Sequence, residues 1–206
     1  MTKTSTHSTA LLASGGIGSG KSYVIAIFNA LGIPSYDADS RAKGLYDTDP
    51  KLLADVVAAA GEEVLREGRL DRKALAAKLF ASEELRAKVE ALVHPAVMRD
   101  FARWREEQQA PLVIFESAIL MEHPELMAQM DFALSVTAPL ETRVSRVVER
   151  DGSTREQVLA RMACQWSDAQ RAEHSDFIIE NDGVQPLLPQ IMNILKTIND
   201  RNNGKD

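Results

Sequence analysis

Residues 15–22 read Gly-Gly-Ile-Gly-Ser-Gly-Lys-Ser, which fits the pattern G-x-x-x-x-G-K-[ST]. The chemistry of such a stretch is the holding of phosphate. Phosphate oxygens need several N–H donors at close range, and glycine lets the backbone approach without an intervening side chain. Gly15, Gly16, Ile17, Gly18, Ser19 and Gly20 would form the cradle, with Tyr23 just beyond it. Lys21 supplies a mobile charge for the β- and γ-phosphates, and the Ser22 hydroxyl is the expected ligand of a Mg²⁺ ion that accompanies ATP. A phosphate loop establishes nucleotide binding without fixing the reaction. A guanine-reading Asn-Lys-x-Asp motif is absent; Asn181-Asp182-Gly183 lacks the lysine, and would lie near the base or close the last loop.

Acidic and basic side chains elsewhere narrow the chemistry to phosphoryl transfer. A kinase needs a carboxylate that accepts a hydrogen bond from the attacking hydroxyl, and others that orient Mg²⁺ and its waters. Asp37 and Asp39 are spaced to divide those roles, although such a pair also serves as helix caps. Glu116 is a secondary acidic candidate near the metal. Arg143, Arg146 and Arg150 recur at i, i+3 and i+7 of a helical stretch, while Val144, Val147 and Val148 take a different face. The stripe is therefore expected to project outwards, either into surface pairs with Glu141 and Glu149 or toward a transferring phosphoryl group. It leads into Asp151-Gly152-Ser153, a hinge-like turn suited to a closing lid.

Short apolar runs alternating with longer amphipathic ones must position these groups, and that alternation predicts a parallel sheet wrapped by helices. Strands are expected at 10–13, 33–36, 111–115, 132–136 and 177–179, and a helix at 22–31 closed by Gly32. The fold class is thus α/β, a three-layer phosphate-loop fold with a five-stranded parallel sheet, a helical insertion and an arginine-bearing lid. The nucleotide-binding core spans about 9–39, 110–139 and 175–200, the helical insertion 40–109 and the lid 140–174 of a single 206-residue domain. Within the insertion, Asp71 and Ser82 are expected helix caps, and His94-Pro95 is expected to break a helix. Thr2–Ser8 and Arg201–Asp206 read as frayed tails. The net charge of −6 offers no global field for nucleic acid or anionic lipid, and no apolar run approaches the roughly 18 residues of a membrane span. The single cysteine, Cys164, reads as a small buried apolar residue and fits a reducing cytoplasm.

Taken in order, these residues resemble the dephospho-CoA kinase family over roughly 11–198. The likeness is carried by the glycine-rich loop, Asp37-Ala38-Asp39, the Gly68–Leu75 segment around Leu70-Asp71-Arg72, Phe80, and His94-Pro95. It continues through Arg146, Arg150-Asp151-Gly152, Arg161 with Gln165, and Asp176 with Asn181-Asp182-Gly183. The resemblance implies ATP with Mg²⁺, phosphorylation of the ribose 3′-hydroxyl of dephospho-CoA, and a helical domain that receives the acceptor. It further implies Asp39 as base or orienter of a metal-bound water, and Lys21, Arg146 and Arg150 as the charges that meet the transferred group. Asp37, Arg72 and His94 would contact the acceptor, and Asn181 would lie on the ATP side. Tyr23, Lys43 and Ala118 depart from residues usual in the family. Two other readings remain at this level: a kinase for another small acceptor such as a nucleoside monophosphate, and a nucleotide-dependent switch with no acceptor.

Overall fold

The computed structural model describes residues 8–204. In chain order they form β1 (Thr9–Gly15), α1 (Lys21–Ala30), β2 (Ser35–Asp37), α2 (Ala38–Thr48) and α3 (Pro50–Ala60). A short hairpin, β3 (Leu65–Arg66) and β4 (Arg69–Leu70), precedes α4 (Arg72–Ala81) and α5 (Glu83–Glu107). The remainder comprises β5 (Leu112–Glu116), α6 (Pro124–Met127), β6 (Phe132–Thr137), α7 (Leu140–Asp151), α8 (Arg155–Ala163), α9 (Asp168–Glu173), β7 (Phe177–Glu180) and α10 (Leu187–Asn202).

The chain divides into two compact units, one made of the segments up to Ser35 and from Gln108 onwards, the other of Tyr36–Glu107. The expected five-stranded sheet has the order β2-β5-β1-β6-β7, with parallel pairing of β1 to β5, β1 to β6 and β6 to β7; β1, β5, β6 and β7 belong to the first unit. Strands such as Ala10–Ala13 and Val113–Phe115 are apolar at consecutive positions because both faces of a parallel sheet are covered. One face packs Leu11, Ala13, Ile114, Leu134, Val136 and Ile179 against Val24, Ile25 and Phe28 of α1 and Ile191, Ile194 and Ile198 of α10. That packing fixes where α1 begins, directly above the carboxyl end of the central strand β1. In register, Ala13 stands beside Glu116, so β5 ends two residues before β1 does.

The second unit is mostly helical, and Asp71 caps α4 by accepting from the backbone N–H groups of Lys73 and Ala74. Ser82 likewise accepts from Leu85 N–H at the start of α5. Two expectations are corrected here. His94-Pro95 does not end a helix: α5 runs unbroken through Pro95 for 25 residues. Proline removes one backbone bond and crowds the preceding turn. Burial of Val89 and Val93 before it, and of Ala96, Val97, Met98 and Phe101 after it, holds both halves to one apolar stripe. The hairpin was not anticipated either; Glu67 and Gly68 form its two-residue turn with φ of 52° and 75°.

Two further readings change at the surface. Cys164 is exposed, not buried, because it caps the end of α8, and its thiol donates to Ala160 O at 3.4 Å. Of the two supposed tails, residues 2–7 and 205–206 lie outside the described residues. Ser8 donates to Ala110 O, and Arg201 and Asn202 complete α10, so those positions are ordered parts of the fold.

Tyr36, the first residue of the helical unit, is buried at 1% exposure, and its hydroxyl donates to Asp100 Oδ2 at 2.8 Å. Burial, then the hydrogen bond to the Asp100 carboxylate and its charge, raise the phenol above its ordinary value of 10.0. The neutral phenol is the form the fold accommodates, so its contribution is complete below pH 10 and is lost as pH climbs beyond it. Tyr36→Phe should lower the unfolding free energy at neutral pH by about 1–2 kcal/mol and make its alkaline decline shallower. Urea unfolding at neutral pH and above pH 10 checks both, and identical curves would mean that the hydroxyl contributes nothing.

Candidate active site

At the glycines of the turn after β1, neighbours occupy the space that a side chain would need. At Gly20, φ is +87°, and a Cβ would lie 2.1 Å from Asn181 Nδ2, so any other residue meets both strain and collision. Gly20 is also the N-cap of α1, which has no side-chain cap and no acidic residue in its first turn. The free N–H groups and positive end of the helix are therefore left to an incoming anion.

Lys21 and Ser22 open α1 and converge on one carboxylate. Lys21 Nζ lies 2.8 Å from Glu116 Oε1, with both side chains 15% exposed, and the Ser22 hydroxyl donates to the same oxygen at 3.2 Å. Glu116, the secondary acidic candidate, is thus the residue held against the loop within this unit. Ser22 Oγ and Glu116 Oε1 are hard oxygen donors at the mouth of a phosphate cradle. That donor set fits Mg²⁺, which takes few protein ligands and completes its shell with water and phosphate oxygens.

A third group comes from α7 and the end of β7. Arg146 Nη1 donates to the carbonyls of Gly18 at 3.4 Å and Ser19 at 3.3 Å, while Nη2 donates to Asn181 O at 3.1 Å. Among the described residues, Arg146 forms no ion pair, so a full positive charge rests on loop carbonyls with no carboxylate to neutralise it. Asn181 is buried and donates Nδ2 to Ser19 O at 2.8 Å. Its backbone N–H bonds Thr137 O, which ties the end of β7 to that of β6. The structure therefore sets Asn181 against the backbone of the loop.

The arginine stripe does not project outwards as a whole. Arg143 is buried at 7% exposure, and its Nε donates to Ile17 O at 3.0 Å. Val144 and Val147 pack with Val158 of α8, and that packing turns the start of α7 toward the loop. The sequence carried a signal for this, since Arg143 stands four residues before Val147 and so borders the valine face. Arg150, at the other end of α7, is exposed and turned to its neighbour, with Nε 2.7 Å from Asp151 Oδ1. Arg161 of α8 lies 2.8 Å from Asp151 Oδ2. The two arginines hold the Asp151 carboxyl well below the usual carboxylate range. Tyr23 is 65% exposed on the first turn of α1.

Asp37, Asp39, Arg72 and His94 belong to the helical unit. Asp37 caps α2, accepting from Ser40 N–H at 3.0 Å and from the Ser40 hydroxyl at 2.6 Å. Asp39 is exposed in the first turn of the same helix. Arg72 bridges α4 to α2 through Asp47 Oδ2 at 2.7 Å and Lys43 O at 2.9 Å, and His94 lies within α5.

Comparison with known proteins gives the same reading along nearly the whole chain. The model of the dephospho-CoA kinase family matches residues 10–186. A dephospho-CoA kinase of Bacteroides fragilis is 39% identical over 182 residues, which cover 88% of each chain. One from Porphyromonas gingivalis is 38% identical over 185 residues, covering 89% of this chain and 91% of its own. A crystal structure from Thermus thermophilus superimposes with a TM-score of 0.81 at 34% identity, covering 93% of this chain and 97% of that one. A loop built for phosphate, in a chain similar to these kinases over most of its length, leads to one conclusion: the chain belongs to the dephospho-CoA kinase family.

Proposed function

We propose that this protein transfers the γ-phosphoryl group of ATP to the ribose 3′-hydroxyl of dephospho-CoA, giving coenzyme A and ADP. The observation that carries the proposal is the convergence of Lys21, Ser22 and Glu116 at the free N-terminus of α1, beside the unneutralised Arg146. That arrangement suits a polyanion whose last phosphorus must be stripped of electrostatic repulsion, and family membership supplies the acceptor.

In this reading the loop N–H groups and Lys21 bind the β- and γ-phosphates, and Lys21 exchanges Glu116 for phosphate oxygens as the nucleotide enters. Ser22 and Glu116 would hold Mg²⁺, with Asp39 acting on it through water. The ion, when bound, spreads the negative charge of the β- and γ-phosphates. Asp39 accepts the proton of the ribose hydroxyl as its oxygen bonds to the γ-phosphorus. The bond to the β,γ-bridging oxygen breaks in line, and its electrons leave with ADP. Arg146 and Arg150 neutralise charge on the transferring group, and Arg150 would first leave Asp151. Asp37, Arg72 and His94 would bind the acceptor in the helical unit. We place the reaction in the cytoplasm, where an exposed lone thiol such as that of Cys164 stays reduced.

ADP release measured with Mg·ATP across a panel of acceptors tests the assignment. Dephospho-CoA should stimulate release strongly and nucleoside monophosphates should not; release indifferent to every acceptor would refute it. Lys21→Ala and Asp39→Asn should each lower kcat by orders of magnitude while circular dichroism shows an intact fold. Near-normal turnover in Asp39→Asn would remove the role given to that carboxylate. Arg146→Ala should slow transfer by about two orders of magnitude and weaken dephospho-CoA binding far less. An equal loss of both would make Arg146 a purely structural residue.

A further inference from the structure

Gly16 occupies one of the free positions of the loop motif, and its φ does not lie in the left-handed region. The backbone there would accept any residue, yet the space would not. A Cβ on Gly16 would fall 2.2 Å from Arg143 Nη2, 2.8 Å from Arg143 Cζ and 3.1 Å from Arg171 Nη1. Two guanidinium heads fill the place of the missing side chain.

Both heads are buried, Arg143 at 7% and Arg171 at 1% exposure, and both rest on one carboxylate. Asp168 Oδ2 lies 2.8 Å from Arg143 Nη1, and its Oδ1 lies 3.3 Å from Arg171 Nη1. Two buried cations side by side repel each other, and burial disfavours each of them, so the shared carboxylate is what keeps them together. Desolvation lowers the proton affinity of Arg171, Asp168 acts to restore it, and the charge of Arg143 lowers it further.

The loop is held at the peptide units on both sides of Ile17, one by a member of the pair and the other by Gln165. Arg143 Nε donates to Ile17 O, while the Ile17 N–H donates to Gln165 Oε1 at 3.0 Å. Gln165 stands between α8 and α9, three residues before Asp168. Ser167 starts α9 with a reciprocal cap to Gln170, which fixes Asp168 at the first position of the helix.

We propose that Asp168 is a positioning residue for ATP: by joining Arg143 and Arg171 under Gly16, it sets the shape of the loop at 16–17 and thereby the alignment of the bound phosphates. The inference rests on the reading of the loop as an ATP site and concerns the nucleotide alone, not the acceptor. Asp168→Asn keeps the size of the side chain and removes the charge that joins the two cations. It should raise the KM for ATP at least about tenfold and leave the KM for dephospho-CoA unchanged, whereas general loosening of the fold would move both.

Should Asp168→Asn fail to fold, the same contact is tested from the loop. Gly16→Ala should weaken Mg·ATP binding in calorimetry by about tenfold or more in the natural background. In an Arg143→Ala background, where the head is gone, the same substitution should cost nothing further. An equal cost in both backgrounds overturns the proposal, as does an Asp168→Asn variant with an unaltered KM for ATP. Absence of Mg·ATP binding to the unsubstituted protein would overturn the assigned function together with this inference. Normal binding there with additive variants sinks the positioning role alone.

Discussion

The N–H groups that a phosphate-binding loop offers to its ligand cannot also pair with its own carbonyls, so most of those carbonyls must be satisfied from outside the loop. Buried or half-buried carbonyls without donors are costly, and here the donors come from the far end of the sequence. Arg143 serves Ile17, Arg146 serves Gly18 and Ser19, and Asn181 serves Ser19 again. The sheet order explains how these arrive, since β6 and β7 follow β1 on one side and deliver α7 and Asn181 beside the turn. Each donor from α7 is also a cation, so the same contacts that shape the backbone bring positive charge to it.

That local charge stands against the composition of the molecule. A chain with net charge −6 attracts no polyanion by its overall field, so selectivity depends on short-range donors. Glu116 moderates the cluster, because its carboxylate occupies Lys21 and Ser22 together. An ammonium held in this way is kept oriented, with most of its side chain out of solvent. Arg146, bonded only to carbonyls, has no such competitor among the described residues.

The loop, the five strands and the caps at Asp71 and Ser82 were legible because each is set by neighbours within a few positions. Glycine spacing, apolar runs and N-cap chemistry are local properties. What was not legible depends on packing between distant segments. The helix that continues through Pro95 is held by a buried stripe whose partners the sequence does not announce, and Cys164 is exposed by the way α8 ends. The arginine spacing leaves open whether Arg143 meets surface carboxylates or a phosphoryl group, whereas the valines of α7 pack on α8 and turn it onto the Ile17 carbonyl. The bond from the Asn181 amide to Ser19 O likewise joins segments far apart in the chain. The hairpin at 65–70 had a local sign, Glu67-Gly68 between two Leu–Arg pairs, too short to stand out in a stretch otherwise rich in helix formers.

The helical unit is one uninterrupted stretch, entered once after Ser35 and left once before Gln108. Strands β1, β5, β6 and β7, the loop and its carbonyl donors all lie outside those 72 residues, Tyr36 to Glu107. A lineage can therefore rewrite the part of that stretch beyond Asp39, through insertion, shortening or exchange, while the loop and its carbonyl donors are inherited intact. Diversification of the alcohol that such a protein accepts is then decoupled from preservation of the energy source.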